Sequence, residues 1–85
     1  MSPVDRRLTI DMYSRIPSYV QLAGQLRDMI TAGEIGPGEA LPSLSQMVTE
    51  TGLSMSTVQR AVRVLASEGL VVTVPGRGVF VRGPG

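Results

Sequence analysis

The chain has 85 residues, 42% of them hydrophobic, and a formal net charge of +1, and it contains neither cysteine nor histidine. This length allows one small domain, while the two missing residue types exclude disulfides, thiolate metal sites and the commonest general base, so we expect no enzyme and no cofactor. The polar first seven residues and the absence of a long apolar run predict no secretory signal or membrane span, and therefore a cytoplasmic protein.

The first predicted element is an N-terminal arm over residues 1–15, in which residues 8–10 alternate as a short edge strand would. A helix is predicted from Pro17, because the first helical turn does not need the N–H that proline lacks. Gly33 is expected just past the end of this helix, and Ile35 is expected to reach the core. The predicted buried face follows a three- and four-residue spacing: Tyr19, Val20, Ala23, Leu26, Met29 and Ile30.

Two further helices are predicted between residues 43 and 68, separated by a glycine turn. Ser43 is a good N-cap with Gln46 three residues later, and the short helix that follows should end near Gly52. Ser54 should cap the next helix, which covers residues 54–68. Its predicted core face is Val58, Ala61, Val62 and Leu65, and its outer face is entirely polar: Ser56, Gln59, Arg60 and Arg63.

The chain is predicted to end in a β-hairpin. Residues 70–74 are rich in β-branched side chains, residues 75–78 have turn chemistry, and residues 79–82 form the return strand. Three helices and a hairpin in this order predict an α+β winged helix-turn-helix domain over residues 16–82, with residues 83–85 as a linker or tail.

Charge is distributed unevenly along the chain. Residues 1–53 carry four arginines and six acids, a net of −2, whereas residues 54–85 carry four arginines and one glutamate, a net of +3. Every basic residue is arginine, which suits the reading of guanine edges and phosphates. Codon usage in a GC-rich genome explains the same bias equally well.

This arrangement predicts double-stranded DNA as the partner, because a major groove about 12 Å wide accepts one helix. The hydroxyls of Ser54, Ser56 and Thr57 would meet phosphates at the positive end of the helix dipole. Gln59 would read an adenine edge, and Arg60 and Arg63 would reach guanine or phosphate. Arg77, between Gly76 and Gly78 at the hairpin tip, would enter the adjacent minor groove.

Simpler interpretations exist for each signal taken alone. Ser54 can be an N-cap without contacting phosphate, the polar face can be an ordinary solvated helix surface, and residues 75–78 can be a plain turn. A winged helix used for contact with another protein is the alternative function, favoured by the low net charge.

The chain resembles the N-terminal DNA-binding domain of GntR-type bacterial transcription regulators from Ile16 to Val81. The motifs that carry the resemblance are Tyr19 in the first helix, the connection over residues 33–43, Gly52-Leu53-Ser54, Thr57-Val58, Arg60-Ala61, Glu68-Gly69-Leu70-Val71 and the wing Gly76-Arg77-Gly78. The resemblance implies binding to operator DNA as a two-fold dimer, usually as a repressor. Carried over by position, it implies DNA contacts at Ser43, Ser54, Ser56, Thr57, Arg60, Gly76 and Arg77.

The sequence departs from the family pattern at three positions. Arginine is common in the family where Ser45, Met55 and Gln59 stand here. We therefore expect an unusual operator, with Met55 against a thymine methyl and with larger roles for Arg60 and Arg63.

The sequence also departs from the family pattern in its length, because family members usually carry a larger C-terminal domain that binds a metabolite and dimerises. Residues 83–85 fit a cut linker, which favours an excised domain over a stand-alone protein. We expect the isolated domain to be mostly monomeric, and a small-molecule effector only where such a further domain exists.

Overall fold

The computed structural model describes residues 8–83, which form three helices followed by an antiparallel hairpin. The elements are α1 (Ser18–Thr31), α2 (Leu44–Thr51), α3 (Met55–Ser67), β1 (Val71–Val74) and β2 (Gly78–Val81). This confirms the predicted α+β winged helix. Residues 1–7 of the predicted arm and residues 84–85 of the predicted tail lie outside the described part of the chain. None of the three described helices is long and apolar enough to cross a bilayer.

The predicted strand at residues 8–10 is wrong, because side chains of α1 occupy the place of a neighbouring strand. The amide of Gln25 exchanges hydrogen bonds with both backbone groups of Thr9, and Gln21 accepts from the Asp11 N–H at 2.8 Å. These backbone groups therefore have hydrogen-bond partners without a neighbouring strand. Leu8 is nevertheless buried, and its N–H donates to Glu50 at 3.1 Å.

The buried face of α1 differs from the predicted one by two residues. Leu22 is fully buried, whereas Val20 is 42% exposed. Each residue advances about 100° around a helix, so Val20 is turned away from the stripe that Ala23 and Leu26 define. Tyr19, Met29 and Ile30 are partly buried against the core, as the spacing predicted.

Local chemistry sets the ends of the helices. Gly33, Gly52 and Gly69 adopt positive φ values of 79°, 75° and 79° just after the three helices, a conformation that glycine reaches without strain. The predicted ends of α1 and α2 are thus confirmed, and α3 lies between the caps Ser54 and Glu68, as expected.

The core lies where α3 packs against α1, α2 and β1. All four residues of the predicted core face of α3 are buried, and Ile35 is buried as expected. The largest fully buried side chains are Leu22, Leu26, Met47, Val58 and Leu65.

A third segment of the chain pairs with the outer edge of the hairpin, which the sequence did not indicate. Val71 pairs with Val81 and Val74 with Gly78. On the other side of β2, the Leu41 N–H donates to the Val79 carbonyl at 2.8 Å, and the Gly38 N–H donates to the Val81 carbonyl at 2.9 Å. Residues 38–41, predicted only as part of a connection, therefore hold the wing next to the segment that enters α2.

Candidate nucleic-acid interface

Both helices of the predicted helix-turn-helix begin at a serine cap. Ser43 Oγ accepts from the Gln46 N–H at 3.0 Å, and Ser54 Oγ accepts from the Thr57 N–H at 3.2 Å. Ser54 Oγ also lies 3.2 Å from Ser56 Oγ and 2.9 Å from Thr57 Oγ1. The start of α3 therefore carries three neighbouring hydroxyls where the helix dipole favours an anion.

The polar face of α3 is exposed throughout, and it divides into two sides. Gln59 and Arg63 face the wing, where they line a groove of about 260 Å³ together with Leu44, Thr73 and Val79. Met55, at the first position of the helix, is 40% exposed. Since a helix places residues four apart on one face, Met55, Gln59 and Arg63 form one stripe on the wing side.

Arg60 lies on the opposite side of this face, against α1. Its guanidinium carbon is 3.9 Å from the ring centroid of Tyr19, and its Nη2 lies 3.4 Å from the Tyr19 hydroxyl. A cation this close to an aromatic face is held by the ring quadrupole. Arg60 is thus not an unrestrained solvated side chain. The sequence does not indicate this contact, because the spacing of Tyr19 predicts only a place in the core stripe of α1.

The wing tip is a tight turn that exposes one arginine. The Arg77 N–H donates to the Val74 carbonyl at 3.0 Å, which closes a four-residue turn. Pro75 is the first central residue of this turn, and Gly76 is the second central residue, with a φ of 76°. These are the positions of a type II turn, whose second residue requires positive φ. Gly78 follows at φ 133°. Arg77 is exposed, and within residues 8–83 its side chain has no partner.

The wing tip and the cap of α2 border a common space. Ser43 and Arg77 line a groove of about 340 Å³ between residues 40–44 and the wing turn. This groove and the one beside α3 share Leu44, Thr73 and Val79. The structure therefore brings Ser43, Gln59, Arg63 and Arg77 to two adjoining grooves, while Arg60 faces α1.

An ion pair with Arg27 offsets the one negative charge in the part of the chain that contains α3 and the wing. The Arg27 guanidinium donates to Glu68 through Nε at 2.8 Å and Nη2 at 2.6 Å. These hydrogen bonds lower the pKa of Glu68 and raise the pKa of Arg27. Glu68 is the one acid in residues 54–85. Because Arg27 neutralises it, the charges of Arg60, Arg63 and Arg77 are not offset by any acid of this half of the chain.

Residues 18–81 match the GntR family of bacterial regulatory proteins. This chain belongs to the GntR family. It is 39% identical over 66 residues to the mannosyl-D-glycerate transport/metabolism system repressor MngR of Escherichia coli, covering 78% of this chain and 28% of that relative. It is also 39% identical over 77 residues to the transcriptional repressor NagR of Bacillus subtilis, covering 91% and 32%. The chain thus spans about a third of the length of these GntR relatives or less.

Solved GntR structures have the same fold. YtrA from Sulfolobus acidocaldarius, a GntR-family transcription factor, superposes with a TM-score of 0.84 at 35% identity, covering 94% of this chain and 84% of that one. The AraR DNA-binding domain in complex with operator ORX1 superposes with a TM-score of 0.82 at 27% identity, covering 89% and 98%. The family match and the shared fold agree, and the AraR domain of this fold was solved in complex with an operator.

Proposed function

We propose that this domain binds operator DNA with the recognition helix, about residues 54–68, in the major groove, its N-terminal end toward the bases, and with residues 75–78 of the wing in the adjacent minor groove. The observation that carries the proposal is the exposed polar face of α3 beside an exposed arginine turn. A recognition helix needs this combination of a buried inner face and a free outer face. We assign this function to residues 16–82.

Each predicted contact residue has a role that follows from its position. The hydroxyls of Ser43, Ser54, Ser56 and Thr57 stand at helix starts, which favours phosphate contacts. On the wing-side stripe, Met55 would contact a thymine methyl, Gln59 an adenine edge and Arg63 a guanine or a phosphate. Arg60, on the side of α3 that faces α1, would also reach a guanine or a phosphate. Arg77 would occupy the minor groove, with Gly76 and Gly78 permitting close approach of the backbone.

For the regulator as a whole, we propose repression through a two-fold operator. The relatives described above include two repressors. A dimer of helix-turn-helix domains reads half-sites one helical turn apart, about 34–36 Å. A single domain would contact one half-site and bind it weakly. A small-molecule effector would act through a part of the regulator beyond residues 16–82.

The test starts from a random duplex library, from which the domain selects its preferred sequence over several rounds. Fluorescence anisotropy then measures the affinity for that duplex and for a scrambled one between about 50 and 200 mM salt. If Arg60, Arg63 and Arg77 each neutralise one phosphate, the logarithmic salt slope is about −2.7. Binding that is absent, or that does not depend on salt, would favour the protein-contact alternative.

A further inference from the structure

The contact between Arg60 and Tyr19 joins two residues 41 positions apart in the chain. Arg60 belongs to the exposed face of α3, and Tyr19 is the second residue of α1. Arg27 differs in that it is paired with a carboxylate, whereas the described partner of Arg60 is a neutral ring. The stack therefore restrains the position of Arg60 without removing its charge.

The ring is itself held in place. Tyr19 is half-buried and packs against the core beside α3. The bidentate ion pair between Arg27 and Glu68 also links α1 to the far end of α3. An arginine side chain that is free in solution loses much rotamer freedom when it binds. The Tyr19 ring has already removed part of that freedom, so less is lost on contact with a ligand.

We infer that Tyr19 is a positioning residue of the DNA interface, which holds the Arg60 guanidinium ready for a phosphate of the bound duplex. The inference rests on the proposed function. A phosphate is the expected target because Arg60 lies at the edge of α3 that faces α1, away from the stripe of Met55, Gln59 and Arg63.

The experiment combines substitutions at both positions in a double-mutant cycle, with affinity for the selected duplex as the readout. An exposed cation–π contact predicts that Tyr19→Leu weakens binding about two- to fivefold, while Tyr19→Phe, which keeps the ring, binds as the wild type does. The salt slope should be unchanged in Tyr19→Leu, which keeps the charge of Arg60. It should fall by about 0.9 in Arg60→Ala. In the Arg60→Ala background, Tyr19→Leu should have no further effect.

The chain offers a matched control in Tyr13, its other tyrosine, which is fully exposed. Tyr13→Leu should leave both affinity and salt slope unchanged. Thermal unfolding followed by circular dichroism checks that every variant is folded at the assay temperature. In the free wild-type domain, the Arg60 side-chain protons should show an upfield ring-current shift in NMR spectra, which Tyr19→Phe keeps and Tyr19→Leu loses.

Three results would overturn the inference while leaving the proposed function intact. They are wild-type affinity in Tyr19→Leu, an undiminished effect of Tyr19→Leu in the Arg60→Ala background, and no ring-current shift of Arg60 in the free domain. The last needs no variant to fold. Failure of the wild-type domain to bind any duplex would overturn the proposed function first, and the role of Tyr19 with it.

Discussion

Ser54 allows helix capping and DNA binding to be separated with two substitutions. Its Oγ accepts from the Thr57 N–H at 3.2 Å at the start of α3. Ser54→Ala removes this acceptor and should cost about 1 kcal/mol of the free energy of unfolding. For a domain of this size, that loss lowers Tm by about 4–8 °C. In Ser54→Asp the acceptor is kept, so its Tm should equal or exceed that of the wild type, since an acid at a helix start is favourable.

The two variants should rank in the opposite order for DNA binding. A carboxylate at position 54 would stand close to a phosphate if α3 enters the groove by its N-terminal end. Two like charges about 4 Å apart repel by about 1 kcal/mol in water and by about 4 kcal/mol near a protein surface. Ser54→Asp should therefore weaken binding at least about fivefold, while Ser54→Ala should lose at most the contribution of a single neutral hydrogen bond.

Circular dichroism melts and anisotropy titrations on the same samples measure the two effects. Thr31→Glu is the matched charge control, since Thr31 is exposed at the last position of α1. Arg27 and Glu68 place that end of α1 near the far end of α3, so Thr31→Glu should bind DNA almost as the wild type does. Unchanged affinity in Ser54→Asp at low salt would refute the proposed docking of α3, and a Tm as low as that of Ser54→Ala would refute the capping argument.

Three further predictions concern the wing, the core and the ion pair. Arg77→Ala should leave Tm unchanged but reduce the salt slope by about 0.9 and the preference for A·T pairs beside the half-site, in titrations with matched duplexes; an unchanged slope would contradict a phosphate contact. Leu22→Ala should destabilise the domain by about 2–5 kcal/mol and Val20→Ala by less than about 0.5 kcal/mol in urea unfolding, and equal losses would contradict the burial of α1. Because Arg27 lowers the pKa of Glu68 below its ordinary value of 4.5, the pair stabilises the fold above that pH and the benefit is lost as the pH falls through the lowered value. The stability difference between wild type and Glu68→Gln should therefore shrink below pH 4.5, and a difference that grew on acidification would reverse the assigned sign.

Helix boundaries followed from the sequence because their causes are local. Ser43 and Ser54 cap through N–H groups three residues away, and Gly52 ends α2 through its own backbone conformation. The core face of α3 followed for the same reason, since its spacing is a property of one helix. The α1 stripe was less clear, because its apolar residues are more widely distributed, and Val20 was assigned to the core in place of Leu22.

Features that depend on contacts between distant residues did not follow from the sequence. Residues 38–41 lack the alternation of a strand, and they pair only because β2 lies beside them. Residues 8–10 show that alternation, yet glutamine side chains take up their backbone groups. The stacking of Arg60 on Tyr19 joins α3 to α1, and no pattern within either helix indicates it. Contact of the predicted site residues with DNA stays a prediction.

The short chain segment beside β2 has a mechanical consequence. Leu41 is tied to the hairpin through the Val79 carbonyl, and only Pro42 separates it from the residue that caps α2. Proline fixes one of the two soft backbone torsions at its position. The distance between the hairpin and the start of α2 is thus restrained by a short segment with one fixed torsion. We therefore expect substitutions in the wing turn, residues 75–78, to change the side chains of the proposed DNA contact without changing that distance.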